Sequence, residues 1–141
     1  MLTWEQWREK STSSLEAAQI LLERDMPIEA ASRAYYAAYQ MVTAVLIRFN
    51  LSPRDAFGNW SHLDTVEMYQ THVCKKASLG FRNQRALKRL LPQFRTLMEI
   101  RYLADYGDHS KTTAFSSVPS LWRDANRLVS LLNALIRTGL L

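Results

Sequence analysis

Between Ile100 and Ser110 the chain reads Ile-Arg-Tyr-Leu-Ala-Asp-Tyr-Gly-Asp-His-Ser, gathering a guanidinium, two carboxylates, two phenols and an imidazole. Such a set suits a negatively charged ligand: arginine meets phosphate or developing negative charge, and an imidazole moves protons near neutral pH. The segment closes an amphipathic pattern whose apolar positions are Leu87, Leu90, Leu91, Phe94, Leu97 and Met98. At about 100° per residue these fall within roughly 120° of a helix circumference. Arg101 and Asp105 continue into that same sector, where an apolar residue is expected. An arginine turned toward a core is costly unless paired, and the carboxylate one turn later is the available partner. Gly107 then closes the helix as its C-cap. The pair has three readings: a mutually neutralising bolt fixing this helix to another, a binding site, or part of a catalytic site.

Other groups offer less. His62, His72 and His109 are the histidines, and neither His-x-x-x-His nor Glu-x-x-His spacing occurs, so no metal is expected. No Gly-x-x-x-x-Gly-Lys loop or dinucleotide fingerprint is present, and no cofactor is expected. Cys74 is alone, which excludes an internal disulfide. Lys75 and Lys76 beside it favour a thiolate, whereas packing would make it a structural thiol.

The elements that must position these groups read as helices. The 141 residues suit one domain, 1–141, and only four glycines and four prolines interrupt them. Thr3 with Gln6 forms a capping box for a first helix over residues 4–25, carrying Trp4, Trp7, Leu15, Ala18, Leu21 and Leu22. Pro27 opens a second, 27–50, antiparallel to the first and apolar around most of its circumference. Its polar strip is Glu29, Arg33, Tyr36, Gln40 and Thr43, so this is the central helix, and its buried tyrosines need hydroxyl partners. Residues 51–59, with Pro53 and Gly58, read as a loop anchored by Trp60.

Ser61 caps a third helix whose stripe of Leu63, Val66, Tyr69, Val73 and Ala77 runs to about Leu79, where Gly80 stops it. The fourth, from about Asn83 to Tyr106, is kinked or broken at Pro92. After a loop over residues 111–118, a fifth begins at Pro119 with Ser117 as cap and runs to Gly139. The fold class is an all-α, up-and-down bundle of about five helices. The apolar positions of the fifth helix, including Leu131 and Ala134, cover more than one face, which predicts a homodimer. There is no signal-peptide layout or membrane-length apolar run, so neither a membrane partner nor a location beyond the cytoplasm is expected.

Charge is uneven. Residues 75–101 hold eight basic residues and one acid, a local +7 that leaves −2 elsewhere in a chain of net +5. Such a stripe suits a polyanion such as RNA, with Arg85, Lys88 and Arg89 as contacts; it equally describes a solvated helix face.

Ser32-Arg33-Ala34-Tyr35-Tyr36-Ala37-Ala38-Tyr39, then Ser61-His62, then Arg101-Tyr102-Leu103-Ala104-Asp105-Tyr106 together resemble the HEPN superfamily over roughly residues 10–135. The likeness is to its small stand-alone bacterial and archaeal members. It implies a bundle that commonly dimerises so that two arginine motifs face a shared cleft. Many relatives are metal-independent RNases in which a histidine follows the arginine after four to six residues, and several are toxins partnered by a minimal nucleotidyltransferase antitoxin. Arg101 matches the arginine. Tyr106 stands after the four-residue gap, and His109 follows a gap of seven.

Cleaving RNA without metal needs a base for the 2′-hydroxyl and a cation for the phosphorane. His109 is the nearby group with a suitable pKa, because tyrosine near 10 is a poor base at neutral pH. Arg101, His109 and Tyr106 are the catalytic candidates. Arg33, Tyr36, Tyr102 and Asp105 join Arg85, Lys88 and Arg89 as binding candidates. The expected function is a dimeric HEPN module that binds RNA or a nucleotide and a protein partner in a toxin–antitoxin or defence system, degenerate in the RNase motif. The alternative is an endoribonuclease toxin using Arg101 and His109.

Overall fold

A computed structural model describes residues 1–53, 60–110 and 112–141. Six α-helices carry the described chain: α1 (Trp4–Glu23), α2 (Pro27–Arg48), α3 (His62–Met68), α4 (Gly80–Arg89), α5 (Leu91–Tyr106) and α6 (Val118–Arg137).

Thr3 and Gln6 form the reciprocal capping box that opens α1, and Pro27 occupies the first turn of α2. Both helices end two residues before their expected limits. Asp25 (φ 57°) and Asn50 (φ 60°) turn left-handed there, residue types that tolerate this region. The turn sends the amides of Met26 and Leu51 back to the carbonyls of Leu21 and Leu46, which stops the helical ladder.

α2 is the central helix, packed against α1, α5 and α6. Ala30, Ala34, Ala37, Ala38, Met41, Val42, Val45 and Leu46 are fully buried. Small side chains let α1 lie close, and polar bonds fix the seam: Ser11 donates to the Ala37 carbonyl (2.6 Å) and Ser14 to Gln40 Oε1 (2.7 Å). Thr43, expected on the polar strip, is buried, with its hydroxyl satisfied by the Tyr39 carbonyl at 2.8 Å. Trp122 Nε1 donates to the Leu15 carbonyl (3.1 Å), tying α6 to α1.

The third expected helix is not continuous. α3 runs only to Met68 and passes into a π-helical turn, Tyr69–Val73, then a 3₁₀ turn, Ala77–Leu79. The widened turn brings Tyr69 and Val73 both fully into the core, with Tyr69 donating to the Leu87 carbonyl at 2.5 Å. Leu63, expected in the apolar stripe, is 60 % exposed. The fourth expected helix starts at Gly80 and is two helices, α4 and α5, divided at Leu90 because Pro92 has no amide to continue the ladder.

Of the expected 51–59 loop, residues 54–59 with Gly58 lie outside the described residues, as does Lys111 in the second loop. Trp60 is buried, and Tyr39 donates to its carbonyl at 2.7 Å, so it anchors that connection. Thr112–Phe115 forms a 3₁₀ turn where a loop was expected. Ser117 does not cap α6: its hydroxyl turns back to the Ala114 carbonyl (3.4 Å), and the helix opens on buried Val118.

α6 also corrects the surface argument for a dimer. Leu121, Ala125, Leu128, Val129, Leu132, Leu135 and Ile136 are spent on the chain's own core, and Leu131 and Ala134 are half-buried. Exposed large apolar groups stand elsewhere, with Leu63, Tyr102, Leu103 and Tyr106 beside or within the α5 end. No helix among the described residues is long and apolar enough to cross a membrane.

Candidate functional site

Arg101 occupies the inward sector of α5 that the periodicity assigns it and is only 6 % exposed. Its Nη1 donates to Asp105 Oδ2 at 3.2 Å. The other carboxylate oxygen, Oδ1, accepts from Ser32 Oγ at 2.6 Å, so the pair bolts α5 to α2. The guanidinium carbon lies 5.6 Å from the Tyr35 ring centre and 5.9 Å from those of Tyr36 and Tyr106. Burial is the largest single influence and opposes its charge, but the Asp105 hydrogen bond and the electrostatic pull of Tyr36, Asp105 and Tyr35 together outweigh it and hold the group protonated. Nε is buried without a hydrogen-bond partner among the described residues.

His62, the first residue of α3, enters the same cluster. Its ring stands 5.3, 6.0 and 5.1 Å from those of Tyr35, Tyr36 and Tyr39. Its Nδ1 shares a 2.7 Å hydrogen bond with the Tyr35 hydroxyl. Burial, then the Arg101 charge, hold the imidazole below its ordinary 6.5 against a weaker opposing pull from Asp105. Burial likewise keeps the Tyr35 hydroxyl protonated far above its ordinary range. A groove of about 470 Å³ opens beside the cluster, lined by His62, Leu63, Met98, Glu99, Arg101, Tyr102 and Leu103.

The other candidates are dispersed. Past Gly107 the chain turns back, and the imidazole of His109 donates through Nε2 to the Ala104 carbonyl (2.7 Å), its ring edge-on to Phe115. That carbonyl lies in the last turn of α5, so His109 acts there as a side-chain cap. Gly107 is the C-cap residue, in extended and not left-handed backbone (φ −89°, ψ 175°). Glycine serves there because a Cβ would stand 2.7 Å from the Leu103 carbonyl oxygen.

Tyr36 and Tyr106 face Arg101, while exposed Tyr102 packs on Tyr106 at 5.2 Å and lines the groove. Arg33 instead borders a separate polar groove with Gln6, Glu9, Lys10 and Gln40. Arg85, Lys88 and Arg89 are exposed on α4. Ser32, Tyr35 and His62 were not among the site candidates; all three are legible only as motif residues, because nothing in spacing alone brings residues 32, 35 and 62 to residue 101. Among the described residues no three His, Cys, Asp or Glu gather as a metal-holding group. Cys74 is buried, and burial pushes its thiol up to about 11 despite nearby Lys88 and Lys75, which makes it a structural thiol.

No match is found among curated proteins. The model of the HEPN domain family matches residues 4–137, nearly the whole chain. An all-α bundle in which the Arg101 motif of α5 is pinned to the tyrosine-rich α2 thus carries a family match over residues 4–137, and the chain belongs to the HEPN family.

Proposed function

We propose that this chain is a binding HEPN module: a homodimer that holds RNA through phosphate contacts at the Arg101 groove and on the basic α4 surface without cutting it. The observation that carries the reading is the Tyr35–His62 hydrogen bond. Tyr35 is fully buried, and among the described residues His62 is the one hydrogen-bond partner of its hydroxyl. A buried hydroxyl left without an acceptor is costly, so Tyr35 donates and Nδ1 accepts. The proton of the neutral ring then sits on Nε2. Beside Arg101, His62 is therefore a hydrogen-bond donor suited to a phosphate oxygen, and a ring already protonated at Nε2 cannot take a proton from a 2′-hydroxyl there. His109 has its Nε2–H committed to Ala104.

HEPN domains commonly dimerise, and Leu63, Tyr102, Leu103 and Tyr106 give a second copy an apolar surface adjoining the groove. A minimal nucleotidyltransferase, as in HEPN toxin–antitoxin systems, is the protein partner this reading implies. The test is a gel shift of structured RNA across a salt series. Retarded, intact RNA whose retention fades with salt supports binding, and no shift at low salt removes it.

The second reading, a metal-independent endoribonuclease, is favoured by the imidazole beside Arg101. It requires the opposite tautomer of His62, with Nδ1–H donating to Tyr35. RNA cut in EDTA by wild type and spared by both His62→Gln and Arg101→Lys supports it over plain binding.

A further inference from the structure

Residues 68–98 contain seven lysines and arginines and no aspartate or glutamate. Four of the cations, Arg82, Arg85, Lys88 and Arg89, stand exposed on α4, and among them Phe81 is 78 % exposed. About the helix axis Arg85 and Lys88 lie roughly 40° and 20° to either side of Phe81, with Arg82 and Arg89 within about 100° on one flank. Phe81 and Lys88 are about 10 Å apart along the axis. Leu87 alone of the α4 side chains is fully buried, so the helix is held from the opposite side and this face is left open.

A ring in water ringed by cations is a poor way to build a core and a good way to hold a strand. Base stacking on one aromatic side chain, with adjacent cations on the phosphates, is how single strands are bound without sequence preference. A membrane surface fits less well. Interfacial helices need an apolar face, and here one ring projects from a cationic one.

We infer that this face of α4 binds single-stranded nucleic acid, with Phe81 stacked on a base and Arg85 and Lys88 on the flanking phosphates. The inference rests on the RNA-binding reading above and adds to it the strandedness and a stacking residue. A duplex keeps its bases stacked on one another and offers none to Phe81, while its phosphates still meet the cations.

Fluorescence polarisation with the full chain separates these contributions. The probes are labelled single-stranded oligouridine of about 15 nucleotides and an RNA duplex of the same length, at about 50 mM salt. Phe81→Ala is expected to weaken single-strand binding about ten-fold and leave duplex binding unchanged, with Phe81→Trp restoring the loss. Arg85→Gln with Lys88→Gln should weaken both and lower the salt slope by about two. Phe81 is exposed, so these variants do not test folding.

Single-strand binding indifferent to Phe81→Ala overturns the stacking assignment, whatever the cations do, and leaves the RNA-binding reading standing. Wild-type chain that binds neither probe overturns both. Phe81-dependent capture by anionic phosphatidylserine vesicles without RNA binding also overturns both and makes α4 a membrane-facing helix.

Discussion

Ser32 on α2 and Asp105 on α5 are joined by a 2.6 Å hydrogen bond across 73 residues of sequence, and this bond holds the carboxylate that neutralises Arg101. Removing Asp105 strands a buried guanidinium. Asp105→Ala is expected to cost about 2 kcal/mol, less than a fully buried pair because the carboxylate is 30 % exposed. Ser32→Ala should cost about 1 kcal/mol. Replacing both charged partners, with Arg101→Met and Asp105→Leu, should recover most of the loss. Urea unfolding checks all three; a double variant no better than Asp105→Ala would mean that the pair is not what the seam is built on.

A pH signature follows from His62. The native ring is held neutral below its ordinary 6.5, by burial first and then by Arg101. As pH falls through 6.5 the unfolded chain takes the proton first. Stability is therefore fully present above that value, declines below it, and levels once the native ring titrates at its lowered value. Urea midpoints between about pH 8 and 5 should show a smaller decline in His62→Gln than in wild type.

Much of this seam was legible in the chain. The inward sector of Arg101 and Asp105 follows from the spacing of Leu87 through Met98, and the capping box and Pro27 fixed two helix starts. The rest depended on contacts that no local pattern encodes. His62 reaches Arg101 because α3 begins against α2, and His109 turns onto Ala104 because the last carbonyls of α5 lack partners. The α6 stripe looked wide enough for a second subunit, yet it is filled by α1, α2 and α5 of its own chain. Strict helical spacing at Leu63–Ala77 hid a π-helical turn, since periodicity reports a face and not the winding beneath it.

Gly107→Ala should lose about 1–2 kcal/mol, because the added Cβ would stand 2.7 Å from the Leu103 carbonyl oxygen and 3.0 Å from its Cα. Hydrogen exchange is expected to quicken in the last turn of α5, which carries Tyr106 and receives His109. Unchanged exchange there would show that the turn relaxes freely.

The Cys74 thiol, buried and pushed up to about 11, should resist alkylation in the native chain at about pH 8 and react promptly in urea. Equal rates in the two conditions would place it at the surface.

A homodimer should sediment at about twice 16.3 kDa, and Leu103→Glu, on the exposed end of α5, should shift it toward monomer at micromolar concentration. Wild-type chain at monomer mass under those conditions would contradict the shared cleft.

The most direct measurement is the fate of end-labelled RNA incubated with the wild-type chain in EDTA, read on native and denaturing gels side by side. With Tyr35 donating to His62, the expected result is RNA retarded on the first and full-length on the second. Full-length RNA lost to fragments by wild type, and preserved by Arg101→Lys, would contradict it.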